Sequence, residues 1–426
     1  LIATTSEQRA SINRLAAEAY EISYGYHVEE VWKKINETIA GFHITHLELM
    51  LGAAATQTHP ELRRVSNICV IYAMREVEDA YARLEAAALA VASGDLSELD
   101  SMGQLTKEAD SIMATGIQSL LQYYEGDNMT CPKANLTSEE FQSLMLEASE
   151  ACVLTSQAFG LFVREAGGDL PIGSTDTVET GLAALTISLQ KLMLGYFDPH
   201  LPAPPSQTCY NYVLQLEAAV KGFESVLTDP DGTVVAGSAG VASVCDAAKE
   251  LSQRYADEGA AAHAEWARPR AELANGQRVL AAGIFAAAAA GATGSLRAGT
   301  DGFERVHKVL LEGDGVISKV IPERQDLSTQ WKQVDTAWQS FKAASLGSSI
   351  AAMAEALSDL NKELDLAVVV YGIPDVPLPP TSPVIFVVTY CSLGALLAGC
   401  GCAGCLMFYR NRRKANEVPT NVPSYA

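Results

Sequence analysis

The sequence predicts an all-α protein, an elongated helical bundle with long coiled-coil-like helices, followed by one C-terminal transmembrane helix. Three observations carry this expectation. Apolar residues recur at three- and four-residue steps through most of positions 1–371, the mark of helices with one buried face. β-Branched residues cluster at 232–236 and 366–371, and the second cluster also fits a heptad. An uncharged apolar run at 384–408 exceeds the about 20 residues that a helix needs to cross a bilayer.

Val28, Val31, Ile35, Ile39, Phe42, His46 and Leu49 form the first stripe. With Thr4 and Glu7 at capping-box spacing ahead of it, it predicts one long amphipathic helix broken by His59-Pro60. A second helix is expected over 61–92, up to the turn residues Ser93, Gly94 and Asp95, and a third over 97–124. Thr137 and Glu140 repeat the capping-box spacing ahead of Phe141, Leu144, Ala148, Cys152, Thr155, Phe159 and Phe162. That helix should end near Gly167-Gly168. Val178, Leu182, Leu185, Leu189, Leu192 and Tyr196 make the next stripe, and the prolines of 197–205 then rule out helix, giving a stiff connector and an internal boundary at 196–206. Val213, Leu216, Val220, Phe223 and Leu227 predict a shorter helix closed by a turn at 229–232. From 241 the pattern is helical and Ala-rich, with interruptions expected at Pro269 and across 291–302.

The last heptads are the most regular. Trp331, Val334, Trp338, Phe341 and Ser345 step by three and four, the phase slips, and Ile350, Met353, Leu357, Leu360, Leu364, Ala367 and Tyr371 resume the spacing. A continuous helix over 323–371 would run roughly 70 Å at about 1.5 Å per residue. Seams this narrow must pack on each other or on a second chain, so a homodimer is one partner the pattern allows.

The segment 372–383 holds five prolines in twelve residues and reads as an extended stalk. After the span at 384–408, the tail 409–426 opens with Arg410, Arg412, Arg413 and Lys414, which the positive-inside bias places in the cytoplasm. Residues 1–371 are then extracellular, and their start at Leu1 without an apolar leader reads as a processed N-terminus, its signal peptide removed. Three Asn-x-Thr sequons, at Asn36, Asn128 and Asn135, fall on that outer side. The uncharged 279–296 run is a weaker span because its side chains are mostly alanine; it reads as a helix with a small-residue surface, and membrane contact there is the minor alternative.

A net charge of -21 and a pI near 4.7 argue against nucleic acid as a partner. Five cysteines lie on the outer side, enough for two disulfides and one thiol. Cys69, within the apolar run 68–71, is expected to be the buried thiol, and Cys131, Cys152, Cys209 and Cys245 the bonded four, in an order left open. Cys400, Cys402 and Cys405, near the cytoplasmic end of the span, are palmitoylation candidates. No catalytic, metal-ligating or cofactor-binding set emerges. His43 and His46 share a helix but His46 lies on the apolar stripe, 236–240 lacks the first glycine of a nucleophile elbow and reads as loop, and 399–404 matches a dinucleotide fingerprint without the strand it requires.

An Ala-rich helical ectodomain with scattered cysteines and sequons, a proline stalk, one C-terminal span and a short basic tail resembles the type I invariant surface glycoproteins of African trypanosomes. The resemblance covers the whole layout and rests on no short motif, so it carries over no binding residue. It implies a non-enzymatic receptor or surface antigen without a cofactor, in the plasma membrane or its flagellar part, with host macromolecules as ligands. A membrane-anchored dimer acting as a structural adhesion or spacer element is the competing expectation.

Overall fold

Helices in this chain begin where a short polar side chain can stand in for the missing backbone acceptors. In the computed structural model, which describes residues 1–54, 61–127, 129–167, 177–197, 200–263, 268–312, 325–347 and 349–372, Asn67, Thr177, Ser206 and Thr233 each accept a backbone N–H at a helix start. Thr137 and Glu140 form the predicted capping box: the Thr137 N–H donates to the Glu140 carboxylate at 2.7 Å and the Glu140 N–H to Thr137 Oγ1 at 3.2 Å.

The fold is an all-α bundle. Among the described residues the helices are α1 (Ile2–Ser23), α2 (Val28–Leu51), α3 (Ile68–Ala92), α4 (Leu99–Glu125), α5 (Ser138–Gly167), α6 (Val178–Leu194), α7 (Gln207–Thr228), α8 (Val234–Ala262), α9 (Arg268–Ala289), α10 (Thr293–Glu312), α11 (Gln325–Ser345) and α12 (Ile350–Gly372). Two short strands, β1 (Tyr196–Phe197) and β2 (His200–Leu201), pair antiparallel between α6 and α7.

Residues 1–374 form one compact unit with three apolar cores in chain order. The first joins α1–α4 through Leu15, Phe42, Tyr81 and Met113; the second joins α5–α8 through Phe159, Leu192, Phe223 and Tyr255; the third joins α9–α12 through Phe285, Phe303, Trp338 and Leu364. Four helices serve two cores each. On α2, Leu49 and Met50 enter the second core and Val31 to Phe42 the first; on α4, Leu120 enters the second and Met102 to Met113 the first. On α3, Val70 and Met74 enter the second core and Val77 to Val91 the first; on α9, Ala282 and Ala286 face the second core while Ile284 and Phe285 face the third. Each fully buried Leu or Phe contributes about 1.5–3 kcal/mol, so this shared packing ties the three cores into one body.

Several boundaries differ from the sequence reading. The first long helix is two, α1 and α2, because the chain turns at Gly25 (φ 75°) and His27 (φ 40°); Thr4 and Glu7 therefore lie inside α1 rather than at a start. The second helix starts at Ile68, since residues 61–67 are not helical, Leu62 bridges Ala53 and Asn67 is extended. Within the proline-rich connector, 201–206 are buried against the second core. Residues 236–240 are helical, and Gly294, Gly299 and Gly302 lie within α10, leaving Gly291 as the break. The phase slip at 345–350 is a turn, not a stutter. The α11–α12 pair folds back on itself, Gln330 Nε2 donating to the Glu363 carbonyl at 2.9 Å, so no 70 Å helix forms and the heptad side chains pack within one chain.

No helix among the described residues is long and apolar enough to cross a membrane. The predicted span 384–408 lies outside the described residues. The 279–296 run is split between α9 and α10; a Cβ on its glycines Gly283, Gly291 or Gly294 would meet nothing within 4 Å, and the close approach is made by Gly299 beyond the run, where a Cβ would meet Ile284 Cγ1 at 2.7 Å.

Candidate functional site

Of the sequons, Asn135 is exposed in the connection ahead of α5. Asn36 is exposed on α2, but its Nδ2 donates to the Trp32 carbonyl at 3.0 Å, and Thr38 is buried with its hydroxyl donating to Glu18 Oε1 at 3.2 Å. Asn128 lies outside the described residues, as do Cys400, Cys402 and Cys405.

The disulfides are Cys69–Cys131 and Cys152–Cys245, with Cα separations of 5.5 and 4.6 Å. The unpaired thiol is Cys209, not Cys69. The apolar neighbours of Cys69 disguise its position: it sits half-buried on the first turn of α3, turned toward the loop that carries Cys131, whereas Cys209 is enclosed in the first turn of α7. Burial, with the Glu258 carboxylate nearby, pushes the Cys209 thiol up to about 12, so it is a poor nucleophile.

His43 and His46 do not act together. His43 Nε2 meets Glu85 Oε2 at 3.0 Å, which raises its pKa, while His46 is sealed in the first core between Gln8 and the Phe42 ring. Among the described residues no group of three His, Cys, Asp or Glu is placed to hold a metal ion. The glycines of 236–240 permit close packing: a Cβ on Gly237 would meet Phe159 at 2.7 Å and one on Gly240 would meet Phe223 at 2.9 Å.

A polar recess of about 610 Å³ borders the Cys69–Cys131 bond, and two of its lining side chains, Tyr123 and Gln207, are bonded to the 64–68 backbone. Tyr123 Oη donates to the Arg64 carbonyl at 3.0 Å, and Gln207 accepts from the Ile68 N–H at 2.8 Å while donating to the Ser66 carbonyl at 3.0 Å. These bonds staple the corner rather than reach into open space. Arg278, 2% exposed, is likewise structural: it donates to the Leu146 carbonyl at 2.8 Å, to Ser149 and to Glu150 Oε2 at 2.6 Å, and its Nε faces Asp365 Oδ1 at 2.7 Å. It thereby joins α5, α9 and α12.

Among the described residues, one surface that packing does not explain is the end of the first bundle where α1 turns into α2 and α3 into α4. Arg9 pairs with Asp110, and Tyr20 lies beside Gly103, so α1 runs antiparallel to α4 and both turns share one end. There Tyr24 (75% exposed), Tyr26 (63%), Val28 (49%), Trp32 (38%) and Leu96 (52%) face solvent. The Tyr24 and Tyr26 rings lie 6.5 Å apart. His27, held at φ 40°, is the one non-glycine residue with positive φ among the described residues, a conformation that surrounding structure must enforce. Sequence periodicity does not reveal this end: Tyr24 and Tyr26 belong to no stripe, and Val28 falls in register with the core positions of α2. The signal available is the density of aromatics around Gly25 outside any apolar repeat.

No family model matches the chain, and no curated protein or solved structure proves similar to it.

Proposed function

We propose that this chain is a cell-surface type I membrane glycoprotein whose helical ectodomain serves as a non-enzymatic receptor or surface antigen. The observation that carries the reading is the pair of cross-links, Cys69–Cys131 and Cys152–Cys245, because protein disulfides form and persist in oxidising compartments. The apolar run 384–408 followed by Arg410, Arg412, Arg413 and Lys414 supports the same topology, and so does an exposed sequon at Asn135. The plasma membrane is the proposed location. A host macromolecule as ligand, and a flagellar position, rest on the family resemblance alone.

The competing reading, a spacer or adhesion protein acting as a membrane-anchored dimer, draws on the last heptads. Trp338, Phe341, Leu357, Leu360 and Leu364 are buried between helices of the same chain, so that seam offers a second copy little apolar surface.

Protease treatment of intact cells tests the reading. Residues 1–371 should be digested from outside while the tail survives. If they persist on intact cells and disappear after permeabilisation, the surface assignment fails.

A further inference from the structure

Large aromatic side chains left in water at a helix-bundle end need a reason, because a whole Tyr or Trp ring buries some 150–250 Å² and the uncovered share of that area is lost to solvent. Tyr24, Tyr26 and Trp32 are such side chains, and Leu96 is exposed on the turn at the same end. On the same turns and the helical residues flanking them the exposed charges are mostly acidic: Glu21, Glu29, Asp95 and Asp100, with Glu30 already paired to Lys34. The two lysines of the same stretch are already engaged, Lys34 with Glu30 at 3.1 Å and Lys33 with Glu37 at 3.7 Å. Hydrogen bonds from the Ser97 hydroxyl and N–H hold Asp95 ionised.

Charge selects among the occupants that such a face admits. A second copy meeting end to end would oppose two acidic rims, and an anionic lipid surface would be repelled by the same carboxylates. A cationic segment gains on both counts: its Lys or Arg side chains meet the rim, and the exposed rings accept guanidinium or ammonium groups over their faces. Aromatic anchors inside a charged rim are also the usual anatomy of a protein interface.

We propose that this end of the first bundle is the docking surface for a Lys- and Arg-rich segment of a partner protein. The inference names the face and the partner chemistry of the receptor described above, and it rests on that reading for where the partner is met.

The test selects a displayed library of random peptides on the full-length chain in detergent micelles. Recovered peptides should be enriched in Lys and Arg. The tightest of them, synthesised, should bind at least tenfold more weakly to the Tyr26→Ala/Trp32→Ala chain and to the Glu29→Lys/Glu30→Lys chain. The second variant alters exposed carboxylates and gives up the Glu30–Lys34 pair, so its melting curve is recorded alongside, and an unchanged curve separates lost docking from lost folding. Peptides without basic enrichment, or affinity unmoved by both variants, overturn the proposal. So do two other outcomes: capture of phosphatidylserine vesicles that depends on Trp32, which assigns the face to a membrane, and a sedimenting dimer abolished by the same variants, which assigns it to a second copy. Protease shaving is scored separately. If shaving fails and peptide binding holds, the location is wrong and the docking face stands; the reverse result leaves the location and removes the face.

Discussion

Gln8 donates from Nε2 to Nδ1 of His46 at 2.6 Å, a hydrogen bond between α1 and α2 inside the first core. The ring is fully enclosed, stacked against Phe42. Burial is the largest influence on it, followed by the His43 and Arg75 charges, and together they push the His46 pKa down to about 3.

This depression makes stability fall with acid. An unfolded histidine binds a proton near pH 6.5, whereas His46 in the folded chain does not until about pH 3, so the unfolded state takes up more protons in between. Stability is therefore intact above about pH 6.5 and declines as pH drops below it, by on the order of 1 kcal/mol per pH unit. His307, lowered by burial against the pull of Asp335, acts in the same direction. His43, raised by Glu85, acts oppositely: its contribution is present below about pH 6.5 and lost as pH rises through its folded value. Glu18 and Glu78, raised by burial, also oppose the loss, so the comparison must be made against a variant. Urea denaturation at about pH 7 and about pH 5 should show a smaller acid loss in His46→Gln than in the unaltered chain. Equal losses would mean that His46 is not the group responsible.

Disulfide connectivity gives a second prediction. Peptide mapping without reduction should recover 69–131 and 152–245 linkages, with Cys209 alkylated only after denaturation. Cys152 and Cys245 are 93 residues apart and join α5 to α8, so replacing both with alanine should lower stability by roughly 2–5 kcal/mol. A Cys209-containing bridge in the native protein would contradict this packing.

Arg278 provides a third. Its enclosed guanidinium donates to Leu146, Ser149 and Glu150, with Asp365 alongside as an ion-pair partner, so Arg278→Met strands two carboxylates and a carbonyl. Glu150 and Asp365 each keep partial contact with water, which limits the loss to about 3 kcal/mol, the lower end for a broken buried pair. Asp365→Asn, which leaves the other Arg278 partners in place, should cost about 1 kcal/mol. Arg278→Lys should not restore stability, since a single ammonium cannot reach all of these acceptors. Chemical denaturation of the three variants checks the ordering.

How far the sequence can be read depends on which property sets each feature. Helical identity and buried faces follow from apolar spacing, and the Thr137–Glu140 box follows from two letters at the right distance. The same two-letter spacing misleads at Thr4 and Glu7, because the bend between α1 and α2 uses Gly25 and a left-handed His27 rather than a proline. The 345–350 slip is visible, but spacing alone does not distinguish a stutter from a reversal; the reversal shows only in contacts between α11 and α12, such as Gln330 Nε2 donating to the Glu363 carbonyl at 2.9 Å. Cysteine pairing turns on which side of α3 Cys69 faces, which its Ile and Val neighbours conceal. The exposed aromatics around Gly25 are legible as letters but not as a surface, since exposure is fixed by what α1, α2 and α4 leave uncovered.

Close helix approach yields the last prediction, from a matched pair of glycines. A Cβ on Gly160 of α5 would stand 2.7 Å from Cζ of Phe285, a ring fully buried in the third core, with Ile350 at 3.7 Å on another side. Because the ring is enclosed, it can yield only by moving its neighbours, and Gly160→Ala should destabilise the chain by about 1–3 kcal/mol. Gly222 lies in the interior of α7, exposed, and a Cβ added there would meet nothing within 4 Å. At that position the same substitution removes backbone freedom from the unfolded chain and adds helix propensity, so Gly222→Ala should stabilise by up to about 1 kcal/mol. The two variants add the same methyl group to a helix and should shift the urea midpoint in opposite directions. A stabilising Gly160→Ala would show that α5 and α9 do not approach as closely as Phe285 requires.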